Sequence, residues 1–329
     1  MEIVAAVEID KHACATYRHN LVTSGTPKLY LADIRTLDPT ALKHAHFRDG
    51  NTCDLVLGGP PCQGFSVHRF KGAGVSDPRN ALIFHYLRFV EVLRPKAFLM
   101  ENVSGLLWPR HEGFLDDLYA RGRSVGYELR DSEVLDARDF GIPQRRQRLF
   151  ILGIRDSGDL APRLTHGGEK ERRTDPSLLP WTNCRRIFSD PVHEDDENNF
   201  HMNHSEELIA VFESTPANGG SRAQSGRILR CHIEHSGHSD VYGRIDPNRP
   251  GPTMTTACIN PSKGRFVHPT EHHGITLRQA ARFQTFPDSF VFKGGLMAAG
   301  AQIGNAVLVQ LGEILLRAVA DGLPDSTSA

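Results

Sequence analysis

Along the first half of the chain, short apolar runs alternate with longer segments whose apolar residues recur every three or four positions. Ile3 to Val7 has the length of a strand and ends at Glu8, and the segment from Asp10 to Asn20 reads as a helix. Asp54-Leu55-Val56-Leu57 is a second strand, stopped by Gly58-Gly59-Pro60-Pro61. Leu82, Ile83, Tyr86, Leu87, Val90 and Leu93 mark one face of a helix over Asn80 to Leu93. Ala97 to Met100 is the next strand, ending at Glu101-Asn102. Strand, helix and strand in about fifty residues make a βαβ unit, whose crossover is right-handed with few exceptions.

Past the strand-like Phe150 to Ile154 the character changes. From about Asp156 to His273 the chain is rich in Gly, Pro, Asn, His and charge, including the basic Glu169 to Arg173 and the acidic Glu194 to Glu197, with little sustained periodicity. Helical patterning returns over Leu277 to Gln284 and Val307 to Val319, and the tail from Pro324 to Ala329 should fray. The expected fold is therefore α/β, a parallel sheet wrapped by helices with a second, smaller, loop-rich or β-rich domain. Residues 1–155 and 274–329 should form the first domain, and 156–273 the second.

A length of 329 residues suits that division. Lys and Arg total 38 against 39 Asp and Glu, so a net charge of -1 offers no global attraction to a polyanion, and a nucleic-acid partner would need a local patch. No apolar run approaches the ~20 residues that span a bilayer; the window Phe84 to Met100 carries Arg88, Glu91, Arg94 and Lys96. No export signal opens the chain, and the six cysteines lack CxxC spacing, which reads as free thiols in a reducing cytoplasm. His232/His235/His238 and His268/His272/His273 could bind zinc in principle, but the cysteine pairs of structural zinc sites are missing, and no metal is expected.

Ligands of open parallel sheets bind beyond the carboxyl ends of the strands, and two of these ends carry reactive groups. Gly58 to Ser66 (GGPPCQGFS) presents Cys62 just past a strand, behind two prolines that fix the backbone. Glu101 stands at the end of the strand one crossover away. A thiol and a carboxylate on successive strand ends suit nucleophilic catalysis assisted by an acid.

These residues also carry a resemblance. The chain resembles the DNA (cytosine-5) methyltransferases, in family order and over nearly its whole length: GGPPCQGFS at 58–66, Glu101-Asn102-Val103, Gln144-Arg145-Arg146-Gln147-Arg148, RQAARFQTFPDSF at 278–290 and Gly304-Asn305-Ala306-Val307. The resemblance implies a Rossmann-like fold that uses S-adenosyl-L-methionine to methylate C5 of a cytosine flipped out of duplex DNA, through a transient adduct of Cys62 at C6. It assigns Glu101 to the base at N3, and Arg146 and Arg148 to orienting the base and its backbone. Glu8, Ile9, Asp33, Ile34, Pro60, Leu82, Asn305 and Val307 match cofactor positions. Gln63 and Ser66 of the nucleophile loop are expected to face DNA, Thr253 resembles a threonine motif near the flipped base, and Asn260 to Arg265 reads as a phosphate-contacting turn. Residues 156–273 correspond to the target-recognition domain. A bacterial-type, monomeric modification enzyme with a cognate restriction endonuclease is implied.

One family element is missing from the sequence. The first strand and its FxGxG loop, which cradle the methionine end of the cofactor, do not occur, and Met1 falls where the second strand should start. The chain thus looks like an incomplete reading frame or a split or decayed enzyme. Three alternatives stand beside the leading one: an inactive DNA-binding homologue, a tRNA cytosine-5 methyltransferase, and a nicotinamide oxidoreductase, which the lack of GxGxxG disfavours. If the frame is truncated, an in-frame FxGxG is expected within about 40 residues upstream of Met1, checked by reading the upstream sequence.

Overall fold

The computed structural model describes residues 2–48, 52–61, 81–130, 132–155, 162–226 and 240–323. Strand β1 (Ala5–Glu8) leads into helix α1 (Lys11–Leu21), whose first turn is closed by the Asp10 carboxylate accepting from the His12 and Ala13 amides, both at 2.8 Å. Strand β2 (Lys28–Leu31) lies parallel to β1, with Ala5 opposite Lys28. Helix α2 (Pro39–His46) starts on an Asp38 cap with proline in its first turn. Then come β3 (Leu55–Gly58), α3 (Ala81–Leu93) and β4 (Ala97–Asn102), the predicted βαβ unit, with β3 and β4 parallel.

Beyond β4 the sheet ceases to be parallel. Helix α4 (Glu112–Ser124) is followed by β5 (Glu128–Leu129), β6 (Glu133–Asp136) and β7 (Gln147–Ile154). β7 runs antiparallel to β4, with Glu101 opposite Phe150, and its other edge pairs with both β5 and β6. The sheet is mixed, a correction to the parallel expectation. The run Phe150 to Ile154 gave no sign of direction, which depends on the connection and not on the strand.

Alternation along β4 assigns its neighbours. Phe98 and Met100 join α3 and α4 on one face, while Leu99 joins Phe150 and Leu311 on the other. That second face is covered by α10 (Val309–Gly322). Each of these buried side chains contributes ~1.5–3 kcal/mol. β1 and β2 form a separate two-stranded sheet. Val7 and Tyr30 nonetheless share a cluster with Cys53, Val56 and Phe89, so the two sheets meet over α2 and α3.

The second region has few regular elements among its described residues: β8 (His166–Gly167), α5 (Glu169–Thr174), β9 (Leu179–Pro180), α6 (Arg185–Ser189) and α7 (Glu206–Ser214). Its core is shared. Ile187, Ile245, Met254 and Ile259 pack with residues of α8 (Leu277–Phe283) and α9 (Gly295–Asn305). Helix α9 escaped sequence reading because its glycines and alanines blur the apolar face. The stretch Gly295–Gly322 is also more apolar than the window Phe84 to Met100, and it is long enough to cross a membrane by composition. It consists of two helices broken at 306–308, each with a face in the core.

His268 is a core residue here, His273 is half-buried and His272 exposed, and His232/His235/His238 lie outside the described residues. The Arg244 guanidinium, 1% exposed, donates to the carbonyls of Phe212, Thr215, His268 and Glu271 and contacts His272 Nδ1 at 2.9 Å. His268 Nδ1 accepts the Glu271 amide at 3.0 Å, and His201 and His273 stack at 3.9 Å. Burial first, then His273 and Arg244, push the His268 imidazole from 6.5 down to about 4. Folding thus favours the neutral ring, whose contribution is whole above pH 6.5 and disappears as pH falls through about 4. The depression corresponds to ~3 kcal/mol. Denaturant unfolding midpoints should therefore fall between those two pH values, and His268→Asn, which keeps an acceptor at the Nδ1 position, should flatten part of that fall.

Candidate active site

The carboxyl end of β4 carries Glu101, and the β4–β7 register brings Arg148 beside it, Nε to Oε1 at 2.9 Å. Both side chains are largely enclosed, at 16% and 17% exposure. Burial pushes the Glu101 carboxyl above the ordinary carboxylate range, while Arg148 and then Arg146 pull it back. The net direction is upward, so this carboxyl holds a proton more readily than an exposed glutamate does.

The segment after β3 passes directly over this pair. Gly58 has no room for a side chain, since a Cβ there would overlap the Tyr86 ring, and a Cβ on Gly59 would stand 3.6 Å from Glu101 Oε2. Tyr86 donates its hydroxyl to the carbonyls of Val56 at 3.1 Å or Leu99 at 3.2 Å, pinning β3 to β4 from below. Asn102 Nδ2 donates to the Pro60 carbonyl at 3.3 Å. The backbone is thereby held to the end of β4 as far as Pro61; Cys62, Gln63 and Ser66 lie outside the described residues.

The four described cysteines, Cys14, Cys53, Cys184 and Cys258, are buried and free. Burial raises all four, Cys53 to about 11 and Cys184 and Cys258 to about 12. Thiols held protonated this firmly are poor nucleophiles.

Arg146 and Arg148 differ sharply although they stand two residues apart. Arg146 is 1% exposed and works as a clamp, Nη1 donating to Met254 O at 2.7 Å and Nη2 to Gly304 O at 2.9 Å and Ala306 O at 3.0 Å. Thr253 Oγ1 donates to the Arg145 carbonyl at 2.5 Å, tying the segment after Gly251 to the arginine run. Arg265 lies elsewhere. Its guanidinium is committed to Asp240 at 3.0 Å and to the carbonyls of Gly219, Gly220 and Arg244.

The positions matched to the cofactor form two groups. Glu8 Oε1 accepts the Ile9 and Asp10 amides at 2.8 Å each, and Ile9 beside it is 64% exposed. Asp33 pairs with Arg35 and is held down to about 2, first by hydrogen bonds from Arg35. Ile34 joins the cluster between the sheets, and its carbonyl lies 3.4 Å from Arg88 of α3, the helix that carries half-buried Leu82. Asn305 is exposed at the end of α9, with half-buried Val307 following. Hydrogen bonds join the second group to Arg146 and through it to Met254; none among the described residues joins Glu8 or Asp33 to Glu101. Two uncharged residues that lie within the quoted motifs without an assigned role, Gln144 and Gln284, are wholly buried at the seam of the second group.

With this geometry in view, the comparisons with known proteins are direct. The family model for C-5 cytosine-specific DNA methylases matches residues 1–321. The chain belongs to that family. The methylase is 32% identical to the type II methyltransferase M1.HphI of Haemophilus parahaemolyticus, over 95% of this chain and 79% of that protein. It is 31% identical to M.Eco47II of Escherichia coli, over 92% and 70%. Among solved structures it resembles a prophage-encoded E. coli protein described as a DNA modification methyltransferase (TM-score 0.70, 23% identity, 96% and 91% covered). It also resembles the Dnmt2 methyltransferase of S. pombe (TM-score 0.58, 16% identity, 97% and 91% covered). At those identities the likeness is one of fold, and it agrees with a mixed α/β methyltransferase sheet. The enzyme is a DNA cytosine-5 methyltransferase, and methyltransferases of this family use S-adenosylmethionine.

The two arginines should separate cleanly. Arg146→Met strips the donor from three buried carbonyls and should destabilise the methylase by ~3 kcal/mol or more in denaturant unfolding. Arg148→Met should cost less at low pH. It raises the Glu101 carboxyl further, so that variant should lose stability progressively as pH rises above 4.5, the ordinary glutamate value.

Proposed function

We propose that the methylase acts by covalent catalysis from Cys62, with Glu101 and Arg148 holding the opposite edge of a flipped cytosine. The single observation that supports this most is the enclosed Glu101–Arg148 pair, 2.9 Å apart, under the backbone that leads into Cys62. Cytosine C5 is a weak nucleophile until the ring accepts an electron pair at C6. Thiolate addition there places charge on N3, and a carboxyl raised by burial is suited to share its proton with that nitrogen. Arg148 then faces a carboxyl of changing charge, which it is placed to orient. The described cysteines are too buried to act, and of the two others, Cys62 and Cys231, the former has the flanking prolines and the place just past a strand that suit a nucleophile.

The residues present fit the cofactor in part. An oriented carboxylate at Glu8 suits a ribose diol, exposed Ile9 suits the face of an adenine, and exposed Asn305 offers an amide. Asp33 would have to share its pair with Arg35. Leu82, Ile34, Pro60 and Val307 would complete the apolar lining. S-adenosylmethionine, when bound, supplies the electrophilic methyl group.

Residues 1–155 with 274–329 form the catalytic part in this reading, and 156–273 the target-recognition part. The two separate sheets, β1–β2 and that built on β3–β4–β7, serve as parts of one methyltransferase sheet. Thr253, tied to Arg145, is positioned to sit near the base. Arg265 braces the recognition region and reaches DNA only if it leaves Asp240. Gln63 and Ser66 are proposed to face DNA from the nucleophile loop. The enzyme modifies duplex DNA in the bacterial cytoplasm, as a monomer alongside a cognate endonuclease.

Cys62→Ser should abolish transfer of labelled methyl from S-adenosylmethionine to unmethylated duplex DNA, by a factor of ~10³ or more, while leaving duplex binding intact. Wild-type enzyme should be trapped covalently on DNA bearing a C5-blocked cytosine. Turnover surviving in the serine variant would remove the thiol from the mechanism.

A further inference from the structure

Three buried polar side chains close a ring behind the active site. Gln144 and Gln284 are 0% exposed, and Arg146 1%. Gln144 Oε1 accepts the Met254 amide at 2.9 Å, and its Nε2 donates to Phe283 O at 2.7 Å and Gln284 Oε1 at 2.9 Å. Gln284, at the end of α8, donates onward from Nε2 to Ile303 O at 2.5 Å and Ala306 O at 3.1 Å. Arg146 completes the circuit from Ala306 O back to Met254 O. The backbone joins in, since Val309 donates its amide to Gln284 O at 3.1 Å.

The ring has a direction. Each amide offers oxygen on the Met254 side and nitrogen on the Ala306 side, so turning either one over would set carbonyl against carbonyl. The surroundings are apolar, with Met254, Phe283 and Ile303 in one cluster. Amides in such a setting stabilise little beyond a hydrocarbon of the same shape, but they fix relative position, because a half-satisfied buried network is strongly disfavoured. There is no slack at the seam: a Cβ on Gly304 would overlap the Thr255 backbone.

We propose that the Gln144–Gln284 pair is a positioning device that couples the cofactor side of the active site to its base side. At one end it holds the 304–307 turn. At the other it holds Met254 and, through the following Arg146, the start of β7 that carries Arg148. Occupancy of one half then favours the geometry needed by the other. This rests on the reading above of which residues face cofactor and base.

The test uses the full chain with S-adenosylhomocysteine and an unmethylated plasmid duplex as probes. In wild type, duplex should tighten S-adenosylhomocysteine binding. Gln284→Met, similar in shape but without the donor, should bind duplex alone within twofold of wild type, lose most of that tightening, and raise the KM for cofactor by ~10-fold with the KM for DNA unchanged. Gln144→Met/Gln284→Met should be no worse than either single change, because the pair acts as a unit. Retained tightening in Gln284→Met overturns the proposal, as does a parallel loss of both affinities that tracks a fallen unfolding midpoint. Should Gln284→Met fail to fold, Gln284→Glu decides. Its protonated carboxyl can again donate to Ala306 O, so its activity relative to wild type should rise on acidification, and a flat ratio overturns the proposal. The binding measurements need no turnover, so a failure in them is separable from a failure of the Cys62 mechanism, which the Cys62→Ser assay reports.

Discussion

A carboxylate removed from water needs a cation in reach, and the antiparallel register of β4 against β7 supplies one by placing Arg148 beside Glu101. That register also decides what lies behind the pair. Because Arg146 is two residues before Arg148, it meets the clustered carbonyls of Met254, Gly304 and Ala306, which belong to segments more than a hundred residues downstream. A slip of one residue in the β4–β7 pairing would exchange the faces of every side chain on β7 and dissolve both arrangements together.

The clamp and the ion pair use the same residue type for different physical ends. The carbonyls of Met254, Gly304 and Ala306 solvate Arg146, and it serves as a fastener among three chain segments. Arg148 meets a titratable partner that burial pushes above the ordinary carboxylate range. Arginine suits both because its planar fork offers several donors in fixed directions and stays charged in either setting. Arg244 repeats the first pattern in the second region, beside His268, whose ring burial keeps neutral.

Tightness at the strand ends carries a related lesson. Gly58 yields to the Tyr86 ring and Gly304 to the Thr255 backbone. Each glycine occurs where two segments that must cooperate come within contact distance. The apolar stretch Gly295–Gly322 is packed as tightly: its small residues let α9 pack against Ile259 and the second region, while α10 covers the far face of the sheet.

The sequence alone determined the local matters. Periodicity placed β3, α3 and β4 within two residues and the last helix within three, because the alternation of apolar and polar side chains reports which face of an element is buried. It located Glu101 at a strand end, and it carried the family motifs. Tertiary structure decided direction and partnership: that β7 runs against β4, that Arg146 is a buried clamp while Arg148 pairs with Glu101, that Arg265 is spent on Asp240, and that Gln144 meets Gln284 across 140 positions. Those outcomes depend on contacts between residues far apart in the chain, and a hydrogen bond formed at such a distance leaves no periodic trace in the sequence that makes it.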